Sequence, residues 1–260
     1  MKLVRFLTQC EDVRVGSLEG NHVRDLGTDM FSGHHVFGHI YPLQKVRLLA
    51  PVIPGKIIGI GLNYRDHAQE MGREVPEQPD IFLKPSTSVI GPEDAIEIPA
   101  ASRRVEIESE LAVVVAARLC DATVEEAAAG ILGYTIINDV TARDLQRNDR
   151  TWTRGKAHDT FAPLGPCIVT DLDVSDLLIE GYINKERKQQ SRTSNMLHSV
   201  PELLSYVSHI MTLVPGDVVA TGTPAGVSAI VPGDTVEIVI EGIGRLRNPV
   251  VARGAKEETS

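Results

Sequence analysis

The sequence predicts an α+β fold, mainly β, built on a mixed or rolled sheet. Two observations carry this: strand-like runs outnumber helical ones, and no regular strand–helix–strand alternation appears. The missing alternation argues against a Rossmann fold and against a TIM barrel.

Taken in order, Lys2 to Leu7 and Asp12 to Ser17 are predicted as short strands, and the Gly/His-rich stretch from Ser32 to Gly38 as a loop. Pro51, Pro54 and Gly55 punctuate a boundary that divides a small β-rich domain (1–53) from a main domain (54–260). Lys56 to Gly61 then reads as a buried strand, Tyr64 to Met71 as a short helix, and the segment up to Pro79 as a Pro/Glu-rich loop. Glu106 to Ala116 alternates and then turns continuously apolar, as a single strand entering a core does. Thr123 with Glu126 forms a capping-box pattern at the start of an Ala-rich helix. Ile131 to Val140 is a further strand and Thr141 to Arg147 a further short helix, with Asp144 assigned to capping. Leu203, Leu204, Val207, Ile210, Met211 and Val214 keep helical spacing. The string VPGD occurs at 214 and again at 231, each a Pro-Gly turn feeding a strand. The tail after Ala252 is polar and expected to fray.

A chain of 260 residues, 42% apolar and 23% charged, has the composition of an ordered globular protein with a substantial core. Acidic residues outnumber basic ones by 35 to 26, a formal charge of −9. Such a surface repels phosphate backbones, and no basic run offsets it, so no nucleic-acid partner is expected. The longest apolar run, Leu111 to Ala117, is far short of a membrane span, so no membrane partner is expected either. The opening MKLVRFLTQCEDVRV turns charged before a signal-peptide core develops. Cys10, Cys120 and Cys167 are odd in number and show no CxxC spacing, and read as small buried hydrophobes of a reducing, cytoplasmic protein.

The densest chemistry lies in Val105-Glu-Ile-Glu-Ser-Glu-Leu111. On one strand Glu106, Glu108 and Glu110 project to the same face. Three like charges there either face water or neutralise a hard, oxygen-seeking cation such as Mg²⁺. Asp139 ends the apolar run from Tyr134, where a charge is costly unless it is paired, ligating or turned to water. Lys156 lies in a polar, Gly-containing loop, either solvated or set to neutralise a substrate carboxylate or oxyanion. His67, one helical turn from Glu70, is a candidate general acid/base or a structural histidine. The tight loop Thr221-Gly-Thr-Pro-Ala-Gly226 offers backbone N–H groups and the Thr223 hydroxyl to an anion. The stretch from Gly59 to Asn63 lacks the spacing of a dinucleotide site.

Seven blocks, spread in order over residues 55–251, resemble the fumarylacetoacetate hydrolase family. They are GLNYRDHAQEMG, IFLKPSTSVIGP, EIESELAVVV, GYTIINDVTARDLQ, GKAHDTFAPLGPCIVTD, SVPELLSYVSHIMTLVPGDVVATGTPAGV and EGIGRLRNPV. Among its members, bacterial 2-hydroxyhepta-2,4-diene-1,7-dioate isomerases and 5-oxopent-3-ene-1,2,5-tricarboxylate decarboxylases are similar. The resemblance implies a mixed β-roll, usually homodimeric. It also implies a Mg²⁺ or Mn²⁺ ion held by Glu108, Glu110 and Asp139. His67 and Lys156 fall on its catalytic positions, with Glu77 as the accompanying acid, and Tyr64, Arg143, Gln146 and Thr223 on substrate-binding ones.

The chemistry implied is isomerisation or decarboxylation of small 2-oxo or 2-hydroxydienoic dicarboxylic acids through a metal-stabilised enolate, as in aromatic-compound catabolism. Oxaloacetate decarboxylation, acylpyruvate hydrolysis and lyase chemistry on sugar acids are the enzymatic alternatives, and a non-catalytic metal-binding protein is the alternative of another class. Two positions depart from the family pattern. Glu106 stands where relatives often carry histidine, and Gln78 stands directly before Pro79, where a glutamate partner for the histidine is expected. Glu70, Glu74 and Glu77 are the acids left to take that part.

Overall fold

A computed structural model describes residues 1–31, 38–72 and 77–254. The loop expected from Ser32 therefore falls almost wholly outside the described residues, as do Glu74 and positions 255–260 of the polar tail. The chain is α+β and mainly β, its described residues arranged as three sheets. The largest has twelve strands, and its centre runs Lys2–Leu7, Ala162–Val169, Ile131–Asn138, Ser109–Val115, Val218–Ala220, Ile57–Gly61 and Asp80–Lys84. It is mixed, because Val218–Ala220 pairs parallel to Ile57–Gly61 while its pairing with Ser109–Val115 is antiparallel. The N-terminal strands extend this sheet through Lys2 opposite Val169 and Leu3 opposite Ile168. A five-stranded sheet holds Glu186–Arg192, Leu178–Ile183, Thr235–Ile240, Gly244–Ala252 and Ile96–Ile98. A three-stranded one holds Thr141–Ala142, Val105–Ile107 and Ser228–Ile230.

The strand Ser109–Val115 is buried along its whole length. Its alternation sends Leu111, Val113 and Val115 into one apolar cluster, and Ala112 and Val114 into another on the opposite face. A strand covered on both faces needs a continuous apolar run, which Leu111 to Val115 supplies. Each such Leu, Val or Ile removed from water stabilises the fold by roughly 1.5–3 kcal/mol before entropy is counted.

Several local expectations are met. Thr123 and Glu126 form both halves of a capping box on the helix Val124–Ala129. In both VPGD turns the aspartate closes the turn, Asp217 accepting from the Val214 N–H and Asp234 from the Val231 N–H, each at 2.8 Å.

Other expectations are corrected. The helix Val200–Ser208 stops short of Ile210 and Met211, because Leu213 leaves helical geometry to exchange backbone hydrogen bonds with Leu119. Asp144 does not act as the cap of the helix Arg143–Asn148, whose N-cap is Ala142. Instead it accepts from Ser102 Oγ at 2.6 Å and the Arg103 N–H at 2.9 Å. Cys167 is buried, and burial pushes its thiol up to about 11, but Cys10 and Cys120 lie in exposed turns. Among the described residues no helix is long and apolar enough to cross a membrane.

Candidate active site

The expected single strand from Glu106 is broken at Glu108. Val105–Ile107 belongs to the three-stranded sheet and Ser109–Val115 to the large one, and the partner chain segment changes sheet at the same level, after Asn138. One side-chain and one backbone hydrogen bond tie the crossing point. The Glu108 N–H donates to Asn138 Oδ1 at 3.1 Å and the Asp139 N–H donates to the Glu108 carbonyl at 3.0 Å. Glu108 and Asp139 thus sit side by side where two strands leave one sheet for another, and Glu110 follows on the large sheet. Their carboxylate oxygens lie within 4.8 Å of one another, and the three residues are 5%, 1% and 2% exposed respectively. Glu106 is separated from them by the break and binds Arg104 Nε at 2.5 Å and Arg143 Nε at 2.6 Å instead.

Three buried cations surround the acids. Lys156 Nζ bridges Glu108 Oε2, at 2.7 Å, and Asp139 Oδ2. Lys84 Nζ holds Asp139 Oδ1 at 2.5 Å and the Val140 carbonyl at 3.1 Å, and Arg143 Nη2 binds Glu108 Oε1. Among the described residues Glu110 has a single, uncharged donor, the Gly222 N–H at 2.8 Å. Burial, then Asp139 and Glu108, hold the Glu110 carboxyl well above the usual carboxylate range. Burial also opposes the charge on Glu108, yet Lys156 and Arg143 outweigh it and keep that carboxyl low. The two lysines diverge. Burial dominates at Lys84 and lowers it, whereas at Lys156 the attraction of Asp139 and Glu108 exceeds burial and raises it. A cluster of three oxygen donors, one of them without a cation, fits a hard divalent ion.

The acids open onto a cavity of about 300 Å³, lined also by His67, Phe82, Arg143, Gln146, Trp152, Lys156 and Thr223. The block carrying His67 is docked by Asn63, whose side chain donates to the Thr221 carbonyl at 2.8 Å and accepts from the His198 N–H at 2.9 Å. His67 Nδ1 lies 3.3 Å from Glu70 Oε2, one turn along the helix Arg65–Glu70, and Glu70 also accepts the Gly226 N–H at 3.2 Å. Glu70 is therefore the acid beside His67. Glu77, expected in that role, is exposed and has no hydrogen bond or ion pair among the described residues. The cause is local geometry, since a spacing of three residues along a helix brings side chains together.

The Thr-Gly-Thr-Pro loop also differs from expectation. Its Gly222 N–H meets an anion, but that anion is Glu110 of the same chain. Thr223 Oγ1 donates to the Ser109 carbonyl at 3.2 Å and accepts from Gln189 at 2.9 Å. Gly222 adopts φ +98°, and a Cβ there would lie 2.8 Å from that of Asn63, so the loop requires glycine. Tyr64, expected at the substrate, is fully buried and not part of the cavity wall. Its backbone bridges to Met196, its hydroxyl has no partner among the described residues, and burial pushes the phenol far up. Gln146 lines the cavity and receives Arg143 Nη1 at 2.5 Å.

Sequence reasoning missed Lys84, Phe82 and Trp152. Lys84 carried the same signal as Asp139, a charge ending an apolar run (Ile81-Phe-Leu). The edge-to-face contact of Phe82 with Trp152, centroids 5.3 Å apart, joins distant segments and has no local signal.

A mixed β-roll that places a buried acid–lysine cluster at the floor of an open cavity is the framework of an enzyme. Its sequence family agrees: the pattern described as fumarylacetoacetate (FAA) hydrolase C-terminal matches residues 56–251, and one described as Rv2993c-like, N-terminal, matches residues 1–51. The chain belongs to the fumarylacetoacetate hydrolase family. Among solved structures it is similar to 2-hydroxyhepta-2,4-diene-1,7-dioate isomerase from Mycobacterium marinum, at 44% identity and a TM-score of 0.91 over 98% of this chain and 99% of that one. Among curated proteins it is similar to the mitochondrial oxaloacetate tautomerase Fahd2a of Rattus norvegicus, 41% identical over 82% of this chain and 72% of the relative. A maleylpyruvate hydrolase from Sphingobium, solved with manganese(II) and pyruvate, is 29% identical with a TM-score of 0.80, covering 97% of this chain and 99% of the other.

Proposed function

We propose that the protein is a Mg²⁺- or Mn²⁺-dependent isomerase that moves a proton between the keto and enol forms of small 2-oxo dicarboxylic acids, of the oxaloacetate or 2-hydroxyheptadienedioate kind. The observation that carries this reading is one cavity in which three oxygen donors meet a lysine and a histidine–glutamate pair. Glu108, Glu110 and Asp139 would hold the ion, which supplies Lewis-acid charge beside the 2-oxo carboxylate of a substrate. Lys156 presents a protonated amine at the same place and stabilises negative charge on the substrate oxygens. Its 4.7 Å approach to the Phe82 ring helps fix its position. His67 faces the cavity with Glu70 against its Nδ1, an arrangement that fixes the tautomer and leaves the other ring nitrogen to carry a proton to or from carbon. Phe82 and Trp152 form the apolar wall that keeps water from the reacting carbon.

The manganese and pyruvate of the Sphingobium relative and the tautomerase activity named for the rat relative support the same chemistry. Keto–enol exchange needs only this proton shuttle, so it is preferred to decarboxylation or hydrolysis. The test is ultraviolet absorbance of freshly dissolved enol-oxaloacetate with the Mn²⁺-loaded protein. Decay to the keto equilibrium much faster than in buffer, and abolished by chelation, is expected; decay at the buffer rate would refute the assignment.

A further inference from the structure

We propose that Arg147 is the specificity-determining residue of this cavity, reading the distal carboxylate of a dicarboxylic 2-oxo acid. This deepens the proposed function and rests on it. Arg143 and Arg147 lie four residues apart on the helix Arg143–Asn148, so they share a face, and both line the cavity. The other Lys and Arg groups of the lining are already engaged. Arg143 gives its three nitrogens to Glu106, Glu108 and Gln146, and Lys156 bridges Glu108 and Asp139.

Arg147 has no hydrogen bond or ion pair among the described residues, although an acid, Asp149, lines the same cavity two positions on. Asp149 is taken by Arg154, whose Nε donates to Oδ2 at 2.8 Å. The rim acid is thus neutralised from elsewhere, and the Arg147 fork stays open to an anion entering the cavity. Phe82 and Trp152 line the same cavity and offer an apolar wall to the carbon skeleton. An anionic 2-oxo acid head at the floor, an apolar wall and a planar fork at the rim together describe a diacid.

Two probes that share a carbon skeleton test this: oxaloacetate and its 4-methyl ester, which lacks only the distal charge. The Mn²⁺-loaded wild type is expected to prefer the diacid in kcat/KM by about 10- to 100-fold, the worth of one charge-assisted fork. Arg147→Gln is expected to bring that ratio to about one, and Arg147→Lys to retain part of it. A ratio unchanged in Arg147→Gln, with both rates lowered together, marks a structural role and overturns the proposal, as does a wild type without preference. If neither compound is tautomerised, the proposed reaction fails, and the Arg147 assignment is still decided by calorimetry with 2-oxoglutarate and its 5-methyl ester. A diacid preference lost in Arg147→Gln upholds it; equal affinity, or no binding of either, overturns it.

Discussion

At the scale of single residues, the site is a charge cluster in which, among the described residues, Glu106, Glu108 and Asp139 have cationic partners and Glu110 has none. Lys84 is 1% exposed and holds an oxygen of Asp139 that Lys156 does not reach. Its removal leaves that buried oxygen without a donor while Lys156 still faces the carboxylate, so Lys84→Met is expected to destabilise the metal-free protein by about 1–3 kcal/mol in denaturant unfolding. Added Mn²⁺ is expected to return part of that loss by neutralising Asp139. Glu70→Gln removes the negative charge from His67 while keeping its shape. It is expected to lower kcat by about 10²-fold or more with little change in Mn²⁺ affinity. A parallel loss of metal affinity would mean that Glu70 supports the acid cluster rather than the histidine.

At the scale of elements, the features legible in the sequence are those decided within one turn of chain. The capping box of Thr123 and Glu126 is one, and Thr123→Ala is expected to cost about 1 kcal/mol in thermal or denaturant unfolding. The VPGD turns are another, since Asp217 and Asp234 reach back three residues to close them. The break at Glu108 was not legible, because it is set by Asn138 and Asp139, thirty residues away on a partner strand. The alternation of Glu106, Glu108 and Glu110 suggested a trio, but the break moves Glu106 to Arg104 and Arg143 and brings Asp139 in its place. The partner of His67 was open for a related reason, since spacing alone allowed three acids. Packing decides the cavity wall as well. A Cβ at Gly59 would lie 2.1 Å from Phe82 Cζ, so Gly59→Ala is expected to push Phe82 into the cavity and raise KM more than it lowers kcat.

At the scale of the whole molecule, the ordered family blocks made the mixed β-roll legible, while the sharing of one sheet by the N-terminal strands and the main part was not. That join depends on Lys2 and Leu3 pairing with Val169 and Ile168, across most of the chain. Among the described residues the sheet ends at Asp80–Lys84, an edge strand on which Leu83 is half exposed, and such an edge invites a second copy. Light scattering is expected to give twice the 28.3 kDa chain mass.

The central claim, that Glu108, Glu110 and Asp139 form one divalent-metal site, is tested most directly by calorimetric titration of Mn²⁺ into the wild type and into Glu110→Gln. The Gln side chain keeps an oxygen for the Gly222 N–H, so the fold is expected to persist by circular dichroism. One site per chain in the wild type, weakened by at least about 100-fold in Glu110→Gln, is the result the site geometry predicts. Equal affinity in the two proteins, with the fold intact in both, would contradict it.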